Sequence, residues 1–327
     1  NPPSQKRRWR ILSLVVAVLL ISYVLFLVDF AAFGVYLQQL SPGAMAAAFG
    51  VYVLLNFFRA LRFIALLGDD VHIPLIEMFP VALAHNLLVR LLPFKTGELS
   101  YFVLLRGRGG FTVERGVSSL FGARFLELLM IVLVVQCAAL FSGQVVTGEM
   151  SLIIIAGLST IGGILCLYFA ANIIRIVIKA IERIAGRYAF LQKLVQGLNK
   201  LAISFEALQN PRRFGMALFW SIFTYVCSFS VNWILLSGIG ADIEFTTLVL
   251  IISLGMFATA IPFNVSGFGA VELSWAFSLS TFLSYTTGEA TSIGLMLNGF
   301  QLGAAALSGI MGYVFLRLWR FYHTGDE

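Results

Sequence analysis

Long apolar stretches separated by short polar segments recur along the whole chain. A helix that crosses the roughly 30 Å hydrocarbon core of a bilayer needs about 20 mostly apolar residues. Such stretches occupy residues 11–28, 44–67, 115–141, 151–173, 213–237 and 290–316. The pattern therefore predicts an all-α polytopic membrane protein with about six full spans.

Two further apolar segments, residues 73–105 and 245–287, are each interrupted by a proline followed by small and polar residues, at Pro93 and at Pro262. Only residues 99–105 follow the first interruption before a basic turn. At about 1.5 Å per residue, so short a helix cannot cross a bilayer. We therefore expect both segments to be re-entrant hairpins, which enter the membrane and return to the side they came from.

The two interruptions resemble each other. Both begin with Pro-Phe and end with a Glu-Leu-Ser-aromatic motif, Glu98-Leu99-Ser100-Tyr101 in the first and Glu272-Leu273-Ser274-Trp275 in the second. The positive-inside rule makes the first hairpin enter from the cytoplasm and the second from outside. Oppositely oriented hairpins form an inverted repeat, which is typical of a transporter site near the midplane. The alternative is that Pro and Gly only kink two ordinary spans.

Residues 174–212 separate a first half, residues 1–173, from a second half, residues 213–327. Cations recur at every fourth position from Arg175 to Arg187, with isoleucines on the other side. This pattern predicts an amphipathic helix on the cytoplasmic leaflet that attracts anionic lipids, although a plain positive-inside anchor fits as well. Both termini are expected in the cytoplasm.

The composition supports the membrane assignment. Hydrophobic residues make up 59% of the chain and charged residues 12%, where a soluble domain has about 25% charged residues. The net charge of +6 comes from basic blocks at predicted cytoplasmic ends, so it indicates topology and no nucleic-acid partner. The three cysteines lie in apolar stretches without a CxxC motif, which gives no support for a disulfide or zinc site.

Polar and charged side chains concentrate at membrane depth around the two interruptions. Such residues cost several kcal/mol unless they face a cavity or a partner, which makes them functional candidates. Five cations against three carboxylates would give a shared cavity a positive charge, and glycines and helix restarts there would expose backbone N–H groups to a phosphate. The predicted substrate-binding residues are Arg59, Arg62, Arg90, Lys95, Thr96, Gly97, Glu98, Arg124, Glu127, Asn264, Ser266, Gly267, Gly269 and Glu272.

Several of these residues also have a simpler interpretation. Arg62 lies near the end of its span and could extend to the interface. Arg124 and Glu127 could form an internal salt bridge that only fixes packing. Glu98 and Glu272 could be carboxylates that stabilise helix N-termini without a ligand.

The motif Leu92-Pro93-Phe94-Lys95-Thr96-Gly97-Glu98, together with residues 261–269 and Glu272, resembles the transmembrane flippase region of the lysylphosphatidylglycerol synthase family. The second motif departs from the family pattern, with Ser266 before Gly267 instead of a double glycine. The resemblance implies a prokaryotic lipid translocase of the cytoplasmic membrane, for aminoacylated phospholipids or polyprenyl-phosphate-linked sugars. Because only residues 317–327 follow the last span, we expect a stand-alone member without the soluble synthase domain.

The leading hypothesis is a flippase that binds an anionic headgroup between the hairpins. Arg59, Arg90, Lys95 and Arg124 would hold phosphate, and Glu98 and Glu272 would position cations or take up protons. No catalytic residue, metal or cofactor is expected. The sequence has no GxxxxGK[ST] nucleotide-binding motif, so ATP is not expected to be the direct energy source. Expected partners are the lipid substrate, anionic lipids at the cytoplasmic surface and a lipid synthase; a homo-oligomer is also compatible with the sequence.

Two other functions stay open at this point. One is an intramembrane transferase or hydrolase that acts on a lipid phosphate, with Glu98 or His85 as general base. The other is a scaffold that recruits a synthase and moves no lipid itself.

Overall fold

The computed structural model describes residues 26–92, 96–141, 169–185, 189–206, 210–241, 243–260 and 270–323, with isolated positions between 157 and 165. Within these ranges the secondary structure is helical, with no strand. The helices are α1 (Phe30–Gln39), α2 (Pro42–Leu67), α3 (Leu75–Leu91), α4 (Leu99–Leu105), α5 (Val113–Phe141), α6 (Ala170–Ala185), α7 (Ala189–Glu206), α8 (Pro211–Gly238), α9 (Phe245–Ala260), α10 (Ala270–Leu283) and α11 (Thr287–His323).

Four of these helices, α2, α5, α8 and α11, are long and apolar enough to cross a membrane, by length and composition. They coincide with four of the predicted spans, and the prediction of a multi-pass, all-helical membrane protein is confirmed at this level. The other two predicted spans, residues 11–28 and 151–173, lie mostly outside the described residues.

Polar side chains fix where several helices begin. Asp29 accepts hydrogen bonds from the backbone N–H groups of Ala31 and Ala32, both at 3.0 Å, at the start of α1. At the start of α11, Thr286 and Glu289 bond each other's backbone N–H group. These N-caps satisfy donors that a helix leaves open at its first turn.

The chain folds as two compact units. The first unit contains residues 1–55, 83–100 and 226–327, and the second contains residues 56–82 and 101–225.

In the first unit, α9 contacts α10, and α10 contacts α11. The second interrupted segment is therefore a pair of packed helices, which have 16 and 14 residues and lengths of about 24 and 21 Å. Helix α11 lies close against α10 at Gly294, where a Cβ would fall 2.8 Å from the Cβ of Trp275. The interruption itself, residues 261–269, lies outside the described residues.

The first unit also contains the turn of the first interrupted segment, formed by the end of α3, a 3₁₀ turn at Thr96–Glu98 and the start of α4. Gly97 packs so closely on Leu88 that a Cβ would collide with the backbone of that residue. One turn further on, Ser100 Oγ lies 2.9 Å from Nδ1 of His85. The chain has therefore reversed direction, and the start of α4 lies beside the end of α3.

In the second unit, the predicted single amphipathic helix is instead a pair of packed helices, α6 and α7. Ile178 and Val195 form the core between them. Because the apolar side chains of both helices remove each other from solvent, part of the stripe expected on the membrane is used for helix packing. Helix α7 also contacts α5, where Lys200 pairs with Glu114 at 3.3 Å.

Ion pairs cluster at the helix ends of the second unit. Glu77, near the start of α3, pairs with Arg108, which follows α4. The loop after α2 is bound in the same way, since Asp69 pairs with Arg213 and Asp70 with Arg115. These pairs connect the loop after α2 to the starts of α5 and α8, and the start of α3 to the turn after α4.

Candidate functional site

The second unit brings Arg59 and Arg62 of α2 together with Arg124 and Glu127 of α5. Each pair is three residues apart, a spacing that puts both side chains on one face of a helix. All four are among the predicted site residues. We call these four residues the arginine cluster.

Glu127 accepts hydrogen bonds from two arginines on different helices. Its Oε1 lies 2.8 Å from Nη2 of Arg62, and its Oε2 lies 2.5 Å from Nη1 of Arg124. Arg59 interacts electrostatically with the same carboxylate and donates to Asn56 Oδ1 at 3.3 Å. The cluster thus sets three positive side chains against one negative one, an excess of two positive charges within its members.

Arg62 is fully buried and does not extend to an interface as its simpler interpretation supposed. Its side chain is 1% exposed, and its Nε and Nη1 atoms have no hydrogen-bond partner among the described residues. A buried guanidinium with open donors is costly, because charge and polar hydrogens are removed from water without full compensation. An incoming anion would lower that cost.

The cluster is open at one side. The Arg124 side chain is 41% exposed and that of Glu127 is 22% exposed. The salt bridge between Arg124 and Glu127, which the simpler interpretation predicted, is present. Packing by this pair alone does not account for Arg59 and Arg62, which interact with the same carboxylate. An anion could approach through Arg124.

Tyr225 of α8 belongs to the same site and was missed by sequence reasoning. Its hydroxyl donates to the backbone carbonyl of Glu127 at 2.8 Å. Tyr225 is buried, and a buried tyrosine usually needs a partner for its hydroxyl. The signal was a tyrosine in the middle of an apolar span, which does not by itself indicate its partner.

Arg90 lies in the first unit, in the last turn of α3, and is half-buried. Its Nη2 donates to Oε1 of Gln301 on α11 at 2.8 Å. Gln301 in turn donates from Nε2 to Oδ1 of Asn232 on α8 at 3.1 Å. Sequence analysis named Arg90 but neither of the amides, although amides inside apolar spans could have been noticed.

Glu272 is also in the first unit and is fully buried in the first turn of α10. Asn298 of α11 donates to its Oε1 at 2.7 Å. The position fits a carboxylate that stabilises a helix N-terminus. The buried carboxylate of Glu272 also lies beside the amide of Asn298, which is one helical turn from Gln301 on α11.

The interruption of the first hairpin is only partly described. Thr96, Gly97 and Glu98 form the 3₁₀ turn, and Gly97 is required there because its backbone touches that of Leu88. The remaining predicted site residues, Lys95, Asn264, Ser266, Gly267 and Gly269, lie outside the described part of the chain.

The predicted residues therefore fall into two sets. Arg59, Arg62, Arg124 and Glu127 meet in the second unit, whereas Arg90, Thr96, Gly97, Glu98 and Glu272 belong to the first. The single shared cavity stays a prediction. In the part of the chain that the structure describes, no group of three His, Cys, Asp or Glu side chains could hold a metal ion.

Comparison with known proteins gives one match. Residues 10–309 match the family described as the lysylphosphatidylglycerol synthase TM region. No curated protein and no solved structure matches the chain. Because the match covers most of the sequence, and the four membrane-length helices lie almost wholly within it, the chain belongs to the family of the lysylphosphatidylglycerol synthase transmembrane region.

Proposed function

We propose that this protein is a lipid flippase of a prokaryotic cytoplasmic membrane. It moves an anionic, phosphate-containing lipid between leaflets, of the aminoacyl phospholipid or polyprenyl-phosphate-linked glycan type. The proposal rests above all on the arginine cluster. In this cluster, three guanidinium groups from two membrane-length helices interact with the single carboxylate of Glu127. Membership of a membrane-lipid family supports it.

The chemistry of the cluster suits a phosphate. Arginine remains charged at physiological pH and donates in a planar fork that matches phosphate oxygens. Glu127 holds Arg62 and Arg124 at hydrogen-bonding distance, which offsets the repulsion between them. Within the cluster three cations face one carboxylate in a low-dielectric setting, where attraction to an anion is stronger than in water.

The two hairpins supply a route to the midplane. The reversal at Gly97 and the packed pair α9 and α10 fit segments that enter the membrane and return. With the basic blocks in the cytoplasm, the hairpins enter from opposite faces, and both termini are cytoplasmic. In this scheme the headgroup passes between the hairpins while the lipid tail stays in the bilayer.

The geometry of His85 gives no support for Ser100 as an activated nucleophile. Ser100 Oγ lies 2.9 Å from Nδ1 of His85, which at first resembles a nucleophile and its base. However, Ser100 donates its only hydroxyl hydrogen to the carbonyl of Gly97 at 2.5 Å. His85 must then be the donor in its bond to Ser100, so it does not activate this serine.

Translocation in proteoliposomes tests the proposal. A short-chain, tail-labelled phosphatidylglycerol is placed in both leaflets, and an impermeant quencher reports exchange between them. The folded wild-type protein should accelerate exchange, and Arg124→Gln should slow it about tenfold, as expected for the loss of one charged hydrogen bond.

The matched control is Lys200→Gln, which also removes one exposed cation of an ion pair but lies outside the arginine cluster. This variant should exchange lipid at the wild-type rate. Full-rate exchange by folded Arg124→Gln would show that the arginine cluster is not the headgroup site.

A further inference from the structure

We propose that Arg90 is a second anion-binding point, independent of the arginine cluster, at which the lipid phosphate rests during translocation. Gln301 and Asn232 are its positioning residues. This inference rests on the proposed lipid transport and adds a second station to it. All three residues lie in the first unit.

The guanidinium of Arg90 binds a neutral partner and not a carboxylate. In the described chain, no carboxylate forms a salt bridge with it, and its hydrogen bond goes to the neutral amide of Gln301 at 2.8 Å. Other arginines do pair with carboxylates: Arg62, Arg108, Arg115, Arg124 and Arg213. An amide satisfies one N–H without cancelling the charge, so Arg90 keeps its full positive charge on a half-buried side chain.

The hydrogen bonds of Asn232 and Gln301 run in one fixed direction. Asn232 Nδ2 donates to the backbone carbonyl of Ser228 at 2.8 Å, which leaves its Oδ1 as acceptor for Gln301 Nε2. Gln301 must then present Oε1 to Arg90. The network therefore holds the guanidinium in one orientation through neutral groups, an arrangement that packing alone does not require.

Glu272 binds a different amide of α11 from the one that binds Arg90. Asn298 and Gln301 are three residues apart on α11 and thus share a face. Asn298 donates to Glu272 whereas Gln301 accepts from Arg90, so each charged residue binds its own amide. Arg90 and Glu272 form no ion pair, and the positive charge of Arg90 stays available to an anion.

The probe for this second point is dihexanoyl-phosphatidylglycerol, counted on the detergent-solubilised protein by native mass spectrometry. The wild-type protein should retain two lipids. Arg90→Gln should weaken one of the two binding steps about tenfold and leave the other unchanged, because one charged contact is lost. The double variant Arg59→Gln/Arg124→Gln should weaken the other step.

Gln301→Glu provides the sharpest variant, because it nearly keeps the shape of the side chain but adds the carboxylate that Arg90 lacks. It should match Arg90→Gln in lipid binding although the arginine is present. Gln301→Met, which removes the acceptor without adding charge, should have a smaller effect.

The outcomes separate the two proposals. Two undiminished binding steps in folded Arg90→Gln and Gln301→Glu would overturn the second point and leave the flippase proposal standing. Failure of the wild-type protein to bind any lipid, with no exchange in proteoliposomes, would overturn both. Competition by free glycerol phosphate at the Arg90 step would show that this point recognises the headgroup without its tails.

Discussion

Glu127 holds together side chains that would otherwise repel each other. Its two oxygens accept from Arg62 and Arg124, and Arg62 is buried. Removing one partner of a buried ion pair costs more free energy of unfolding than the intact pair contributes, because the remaining charge stays buried without compensation. The proposed binding function of the cluster is therefore linked to its stability.

This link predicts the effect of Glu127→Gln. The substitution keeps the shape but removes the charge that balances Arg62, so we expect a loss of about 3 kcal/mol in the free energy of unfolding. Denaturant unfolding in mild detergent measures it. Glu114→Gln, which breaks the exposed pair with Lys200, should cost less than about 1 kcal/mol. Equal effects of the two substitutions would contradict the buried arrangement.

Residue spacing explains how much of the site was predictable. The pairs Arg59 with Arg62 and Arg124 with Glu127 follow from a helical period that the sequence displays. The partners of Arg90 and Glu272 do not, because Gln301 and Asn298 are brought to them by tertiary packing across 211 and 26 positions of the chain. Local patterns contain no information on such pairings.

At the scale of helices, the re-entry of the first hairpin into the membrane stays a prediction. Its break was predictable, because Pro93 interrupts the apolar stretch and α4 is short. The linker was not, because an apolar stripe fits a membrane surface or another helix equally well. The structure resolves this for α6 and α7, where Ile178 packs with Val195. Ile176, on another face of α6, stays 67% exposed.

These two isoleucines provide a matched test of the helix pair. Ile178→Ser should cost about 2–4 kcal/mol, since it buries a hydroxyl and leaves a cavity, and should speed amide hydrogen exchange across α6 and α7. Ile176→Ser should leave exchange unchanged, because its side chain is exposed. If Ile176→Ser were the more disruptive change, the stripe would serve the membrane instead of the helix pair.

For the whole molecule, the length of apolar stretches predicted α2, α5, α8 and α11 as spans, and the structure agrees. Sidedness comes from the basic blocks alone, since a helix has the same geometry in either orientation. The predicted inverted arrangement of the two hairpins therefore rests on the charge pattern, and labelling from one side of the membrane tests it.

Single cysteines in a cysteine-free background report this topology. Cysteines at His72 and Gly107 flank the first hairpin, and cysteines at Glu244 and Tyr285 flank the second; His72, Gly107 and Glu244 are exposed, and Tyr285 is half-buried. An impermeant maleimide added outside intact cells should label only Glu244→Cys and Tyr285→Cys, whereas the other pair should react only after lysis. Labelling of one position of either pair from each side would mean that the segment crosses the membrane.

The central claim is that the arginine cluster binds a lipid phosphate, and an experimental structure with bound phosphatidylglycerol tests it most directly. The account predicts phosphate oxygens about 3 Å from guanidinium nitrogens of Arg124, with Arg59 and Arg62 turned toward the same group. A well-ordered headgroup elsewhere in the protein, with Glu127 and its arginines unchanged and no lipid beside them, would contradict it.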